Sequence, residues 1–224
     1  MPQIFITWTV DLTSPAFCGT LGSVNAGLKD VALFCIAFRN EWHRVWTYIH
    51  KVWAKKVVGG VHEFAWVLEY QERGTPHIHM VLWTGKSLQE LIEQNNRGGR
   101  ETVVTCSRHH PDARVRVLVE WCQVHRHSED YCMRTKQNGE RQCRFGFEQS
   151  PCSETKVEGG RVVYKRESSD GMVNAYNPEL LSIFGTNMDI QINYGKEALF
   201  YLSKYISKPS NVRTGAMEGN KLCK

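Results

Sequence analysis

No apolar run in this sequence approaches the ~18 residues a membrane span needs. The opening MPQIFITWTV has no basic stretch ahead of its apolar residues and no clear cleavage site, so the expectation is an intracellular protein with no membrane partner. Internal repeats and low-complexity tracts are absent, which sets aside collagen-like and disordered chains. Charge of either sign is modest: 28 Lys and Arg against 23 Asp and Glu leave +5. That balance permits a nucleic-acid partner without establishing one. With 224 residues, 42% of them apolar and 23% charged, the chain fits one domain with a small appendage. Cysteine is the exception to this ordinary composition, with eight present. Cys122, Cys132 and Cys143 cluster within 22 residues that also hold His125 and His127, a pattern favouring metal over a disulfide framework.

Hydrophobic periodicity predicts the elements. Residues 4–10 are β-branched and aromatic and read as a strand, followed by a polar loop over 11–28. From about Asp30 a helix sets in, with Phe38, Trp42, Val45, Trp46, Ile49, Val52 and Trp53 at steps of three and four. Gly59 and Gly60 end it. Phe64, Trp66, Leu68 and Tyr70 then alternate with polar or smaller residues, a turn follows, and residues 77–83 make the second arm of a hairpin. Ser87 and Glu90 match a capping box opening a short helix. Residues 114–121 alternate Arg and Val and are predicted as a strand, as are 161–166 and 188–192. Residues 195–208 read as a helix with Leu199, Leu202 and Ile206 buried, stopped by Pro209; residues 211–224 read as a tail or linker. The expected class is α+β with a mostly antiparallel sheet.

Two elements carry chemistry. His77 and His79 lie two apart on a strand, so both imidazoles project from one face while Ile78 enters the core. Such a pair can chelate one divalent metal, and Glu69 or Gln71 on the preceding strand can add an oxygen ligand while leaving positions open for substrate. Tyr201 and Tyr205 are four apart on the last helix and share one face, flanked by Lys204 and Lys208. On their own these phenols read first as packed side chains of a partly buried amphipathic helix. Taken with the His pair, they point to in-line attack of a tyrosine on a phosphodiester polarised by the metal.

The string from Glu69 to His79, EYQERGTPHIH, resembles the His-hydrophobe-His motif of rolling-circle replication initiators, in the version found in Helitron transposases. The paired tyrosines of YLSKYISK, the block Tyr176-Asn-Pro-x-Leu-Leu181, the block Asn187-Met-Asp-Ile-Gln191 and Cys143-Arg-Phe-Gly-Phe147 are similar to that family's blocks, in the same order from about residue 4 to 208. One departure is Glu148, where the family has Pro. The resemblance implies a metal-dependent, single-strand DNA endonuclease and strand transferase. Its fold is a ferredoxin-like antiparallel sheet, the HUH endonuclease palm, with helices on one face and an inserted Cys/His-rich zinc-binding segment. His77 and His79 carry over as ligands of Mg²⁺ or Mn²⁺, with Gln71 as third ligand and Glu69 as its alternative. Tyr201 and Tyr205 carry over as nucleophiles forming 5′-phosphotyrosine links to a transposon end, and Lys204 and Lys208 lie near the phosphate. A helicase follows the nuclease in that family, and no GxxxxGK[ST] motif occurs here. The expected organisation is therefore a nuclease domain over 1–210 with an inserted segment over 106–160, a tail from 211, a helicase partner and nuclear residence.

The spacing Cys122-x2-His125-x-His127-x4-Cys132-x10-Cys143 offers five ligands for a four-coordinate zinc. The expected set is His125, His127, Cys132 and Cys143, with Cys122 as substitute. Arg97, Arg100, Arg108, Arg114, Arg116, Arg134, Lys136, Arg141 and Arg144 crowd the middle third, as a DNA-facing surface would require. A non-catalytic zinc-containing DNA-binding module and a single-tyrosine viral initiator or relaxase are the rival readings.

Overall fold

In strands that pack one face on helices, apolar residues must alternate with others, and the first strand does so. Ile4, Ile6 and Trp8 are buried together with Ile78, Met80, Leu82, Met188, Ile190 and Ile192 in the main core. The computed structural model of the protein describes residues 1–10, 31–70, 75–196, 200 and 203. Within these, β1 (Ile4–Thr9), β2 (Val61–Tyr70), β3 (Pro76–Thr84) and β8 (Met188–Ile192) form a four-stranded sheet in the order β2-β3-β1-β8, every neighbouring pair antiparallel. With α1 (Val31–Tyr48) between β1 and β2, and α2 (Leu88–Arg97) after β3, this is the ferredoxin-like βαββαβ path that the resemblance implies.

The helix predicted from residue 30 onward is α1, continued by a π-helical turn (Ile49–Trp53) and a last turn (Ala54–Val57). Its aromatic stripe lies on the sheet: Trp42 stacks on Trp8 at 6.2 Å and meets Trp66 edge-on at 5.2 Å, while Trp46 sits 4.4 Å from Phe64. At the start of α2 the capping box forms as read, with Ser87 Oγ accepting from the Glu90 amide and Glu90 accepting from the Ser87 amide. The opposite sheet face carries only a small apolar pair, Phe5 and Val81, flanked by Ala65, Val67 and Trp83.

The chain between α2 and β8 departs from the simple path. Residues 114–121, expected as a strand, are instead α3 (Ala113–Leu118) running into a π-helical turn (Val119–Gln123). Asp112 caps its N-terminus by accepting from the Arg114 amide at 2.8 Å, and the two buried valines, Val115 and Val119, are one helical turn apart. Alternation of Arg and Val thus satisfied both periods, and the cap and tertiary burial decided for the helix. Two short hairpins follow, β4 (Met133–Thr135) with β5 (Arg141–Cys143), and β6 (Lys156–Glu158) with β7 (Arg161–Val163). In the second, Gly159 and Gly160 at φ of +58° and +77° supply the two left-handed residues of its turn.

The Tyr-Asn-Pro block is a structural staple. Asn177 caps α4 (Pro178–Phe184) through the Leu180 amide and donates to the carbonyls of Thr102 and Val103, while the buried Tyr176 hydroxyl donates to Ser107 O. Tyr201, Tyr205, Lys204, Lys208 and Gln71 lie outside the described residues, as do the predicted loop at 11–28 and the tail at 211–224. No helix among the described residues is long and apolar enough to cross a membrane.

Candidate active site and metal centre

β3 has a face for each of its two jobs. Ile78, Met80 and Leu82 enter the core, so His77 and His79 project from the other side, their rings 4.6 Å apart. The antiparallel register places β1 beside them, Thr9 against His77 and Thr7 against His79. Each threonine hydroxyl meets the Nδ1 of its histidine, at 2.8 Å for Thr9 and 3.2 Å for Thr7. On the other flank Glu69 pairs with His77 in register, and its Oε2 lies 3.4 Å from His79 Nε2.

This geometry fits a divalent cation. A neutral imidazole that gives its Nδ1 hydrogen to a threonine oxygen keeps a lone pair on Nε2, the arrangement common around metal-bound histidines. Burial first, then the neighbouring His79, push His77 down to about 4, with Glu69 pulling the other way, so this ring is neutral at pH 7. The 3.4 Å between Nε2 of His79 and the Glu69 oxygen is near the ~3–3.5 Å expected for adjacent ligands with bonds of ~2.1 Å. Two imidazoles and one carboxylate fill half of an octahedral shell, leaving room for substrate oxygens.

Thr7 and Thr9 were not singled out from the sequence. Their partners are 72 and 68 positions away, so only the pairing of β1 with β3 reveals them. The available signal was two hydroxyls at i and i+2 of a predicted strand.

The second cluster has a different geometry. His125, His127, Cys132 and Cys143 hold their ligand atoms within 4.8 Å of one another. Cys132 precedes β4, Cys143 ends β5, and Met133 pairs with Cys143, so the hairpin brings both sulfurs to one end. Cys143 Sγ lies 3.4 Å from His125 Nε2, and Cys132 Sγ 3.6 Å from His127 Nδ1. A tetrahedral zinc with Zn–S of ~2.3 Å and Zn–N of ~2.05 Å requires S···N separations of about 3.6 Å. The donors therefore fit zinc in a closed, four-ligand site. Desolvation and the neighbouring His127 lower His125, again favouring the neutral ring. The Ser128 amide donates to Cys132 Sγ at 3.2 Å. Cys122, the alternative ligand, lies outside this group, and its Sγ donates to Leu118 O.

Comparison with known proteins bears on the part that holds the His pair. Residues 1–82 match the family model described as the Helitron helicase-like domain at N-terminus. A curated protein of Xylella fastidiosa (strain Temecula1), provisionally named replication protein PDa0002, is 36% identical over 50 residues. The aligned stretch is 22% of this chain and 18% of that protein, so the chain spans less than a fifth of the relative it matches. No solved structure matches.

Proposed function

From the Helitron-like character of residues 1–82 we propose that this protein nicks and rejoins single-stranded DNA as a replication-initiator-type enzyme, through a covalent tyrosine link. The observation that carries the reading is the pair of same-face imidazoles, each fixed by a threonine and joined by the Glu69 carboxylate. His77, His79 and Glu69 are the proposed ligands of Mg²⁺ or Mn²⁺, with Gln71 as alternative to Glu69. When bound, the cation supplies charge neutralisation at the scissile phosphate.

Tyr201 and Tyr205 are the proposed nucleophiles. A tyrosine oxygen attacks phosphorus in line, giving up its proton. The P–O3′ bond breaks, the 3′ oxygen leaves as a hydroxyl after taking a proton, and a 5′-phosphotyrosine remains. No water enters, so the bond energy is retained and a free 3′-hydroxyl can reverse the step on another strand. Lys204 and Lys208 are proposed to favour the phenolate and hold the phosphate. A helicase acting on the same strand is the proposed partner, and a transposon end the proposed substrate. His125, His127, Cys132 and Cys143 are proposed to hold a structural zinc.

The test is to incubate the chain with labelled single-stranded DNA and Mn²⁺ or Mg²⁺, then look for an adduct that survives denaturing electrophoresis. The expected adduct requires metal and disappears in Tyr201→Phe/Tyr205→Phe and in His79→Ala. A folded wild-type protein that binds DNA but yields no adduct on a broad oligonucleotide set overturns the reading in favour of a non-catalytic zinc-containing DNA-binding module.

A further inference from the structure

An open cleft of about 700 Å³ lies along α3 and its π-helical turn, lined among others by Arg108, Arg116, Val117, Trp121 and Arg126. Two features distinguish it from an ordinary charged surface. Trp121 leaves 55% of its surface exposed and Val117 68%, both of them apolar residues lining the cleft. The three guanidinium groups are also fixed unequally. Arg108 is matched by Glu120 at 3.3 Å. Arg116 is held by the carbonyls of His110 and Pro111 at 2.7 and 3.0 Å, and Arg126 by the carbonyl of Glu120 at 3.5 Å. Among the described residues neither Arg116 nor Arg126 forms an ion pair with a carboxylate, so two oriented positive charges flank an exposed indole.

An indole face with flanking guanidinium groups suits an unstacked base with its phosphates. A duplex hides its base faces, and an acidic peptide has no use for the indole. The position agrees. The Cys122 carbonyl, next to Trp121, accepts from Asn187 Nδ2 at 2.6 Å, and Asn187 O accepts from the Thr9 amide at 3.2 Å. Thr9 is the partner of His77, so two strand spacings, roughly 10 Å, separate the backbones of Asn187 and His77. Asn187 thus ties the backbone beside Trp121 to the strand pair that carries His77.

We infer that this cleft is a subsite for single-stranded DNA, one base stacking on Trp121 and adjacent phosphates seated on Arg116 and Arg126. The inference rests on the DNA-acting reading above and specifies where the strand runs beyond the metal centre. Arg126 also stands between His125 and His127, so the four-ligand cluster sets the position of one phosphate contact.

Binding is read by fluorescence anisotropy with a labelled thymidine 20-mer, and with a duplex as comparison, on the Tyr201→Phe/Tyr205→Phe chain, which lacks both proposed nucleophiles. In that background Trp121→Ala is expected to weaken single-strand binding about 5- to 100-fold, as loss of one base–aromatic stack does, and Trp121→Phe to recover most of it. Arg116→Gln/Arg126→Gln is expected to flatten the slope of log affinity against log salt by about 1.4, two phosphates at ~0.7 each. Circular dichroism confirms that each variant is folded. Unchanged affinity in Trp121→Ala together with an unchanged salt slope in the arginine variant overturns the subsite, even if the wild type forms its covalent adduct. Loss of binding in these variants, where the wild type forms no adduct, sustains the subsite while the nicking reaction falls.

Discussion

A histidine is a useful metal ligand only if the correct nitrogen is left to coordinate, and at the proposed site two hydroxyls are placed to set it. Thr9 and Thr7 hold the Nδ1 atoms of His77 and His79 at 2.8 and 3.2 Å. Thr9→Val keeps the shape and removes the acceptor. Its expected effect is a 10- to 100-fold loss of Mn²⁺ affinity in calorimetric titration, restored by Thr9→Ser. Equal affinity in Thr9→Val would remove the hydroxyl from the site. At this scale the sequence was legible where chemistry is local: His77 and His79 follow from one strand period, and Glu69 from one hairpin. The threonines were not, because a register linking residues some 70 positions apart is set by the whole sheet. Of the two oxygen ligands weighed, Glu69 lies within reach of His79, while Gln71, the first choice from the sequence, lies outside the described residues.

Among the elements, the Cys/His segment has few apolar residues, and a bound metal would supply much of its order. Cys132→Ser is expected to abolish zinc content measured by mass spectrometry on the purified protein, whereas Cys122→Ser leaves one zinc per chain. Retention of zinc in the first variant would rule out the four-ligand group. A second junction joins α1 to α4. Glu179 accepts from Tyr48 at 2.5 Å and from Lys56 at 2.8 Å. Burial alone would raise the Glu179 carboxyl, yet these two donors and the Lys56 charge carry it below the usual carboxylate value. A carboxyl lowered on folding contributes stability above its unfolded value, and that contribution is lost as pH falls through its folded value. Glu179→Gln is therefore expected to cost about 1 kcal/mol in urea denaturation at pH 7, the difference from wild type shrinking as pH drops below about 4. A constant difference down to pH 2.5 would assign the loss to something other than charge. The long helix from residue 31 and the strands of the main sheet hold as read, the helix expected over 195–208 falls almost wholly outside the described residues, and α3 is where the local pattern fails. Its Arg-Val alternation suits a strand, but Asp112 supplies a cap that alternation does not weigh, and Val115 with Val119 meets the core only as a helix.

For the molecule as a whole, the sheet order β2-β3-β1-β8 puts the two strands that build the His site in the interior, each hydrogen-bonded on both sides. The helices occupy one face, leaving the other for chemistry. Trp8 ties these layers together. It is 2% exposed, stacks on Trp42 and Phe184, and donates to Thr186 Oγ1 at 3.1 Å. Trp8→Ala is expected to lower unfolding free energy by about 3–5 kcal/mol in chemical denaturation, a result below 1 kcal/mol being incompatible with this packing. The antiparallel α+β class was legible from alternation and hairpin signals. The excursion between α2 and β8 was legible as a Cys/His-rich insertion but not in its path, because its short hairpins and turns follow tertiary contacts such as Asn177 with Thr102 rather than a repeating pattern.

The pairing of β1 with β8 sets Ile4 against Ile192. During synthesis β1 emerges long before β8, so the sheet waits for most of the described chain before it gains its fourth member. Until then β1 has an open flank, and the chain that emerges meanwhile is the excursion bearing the Cys/His cluster. Nonlocal pairing of this kind slows folding and exposes a strand edge to neighbouring chains. Early ordering of the excursion would shorten the effective loop to be closed, so if the proposed zinc binds there, its supply during expression would bear on how much of this protein reaches its native topology.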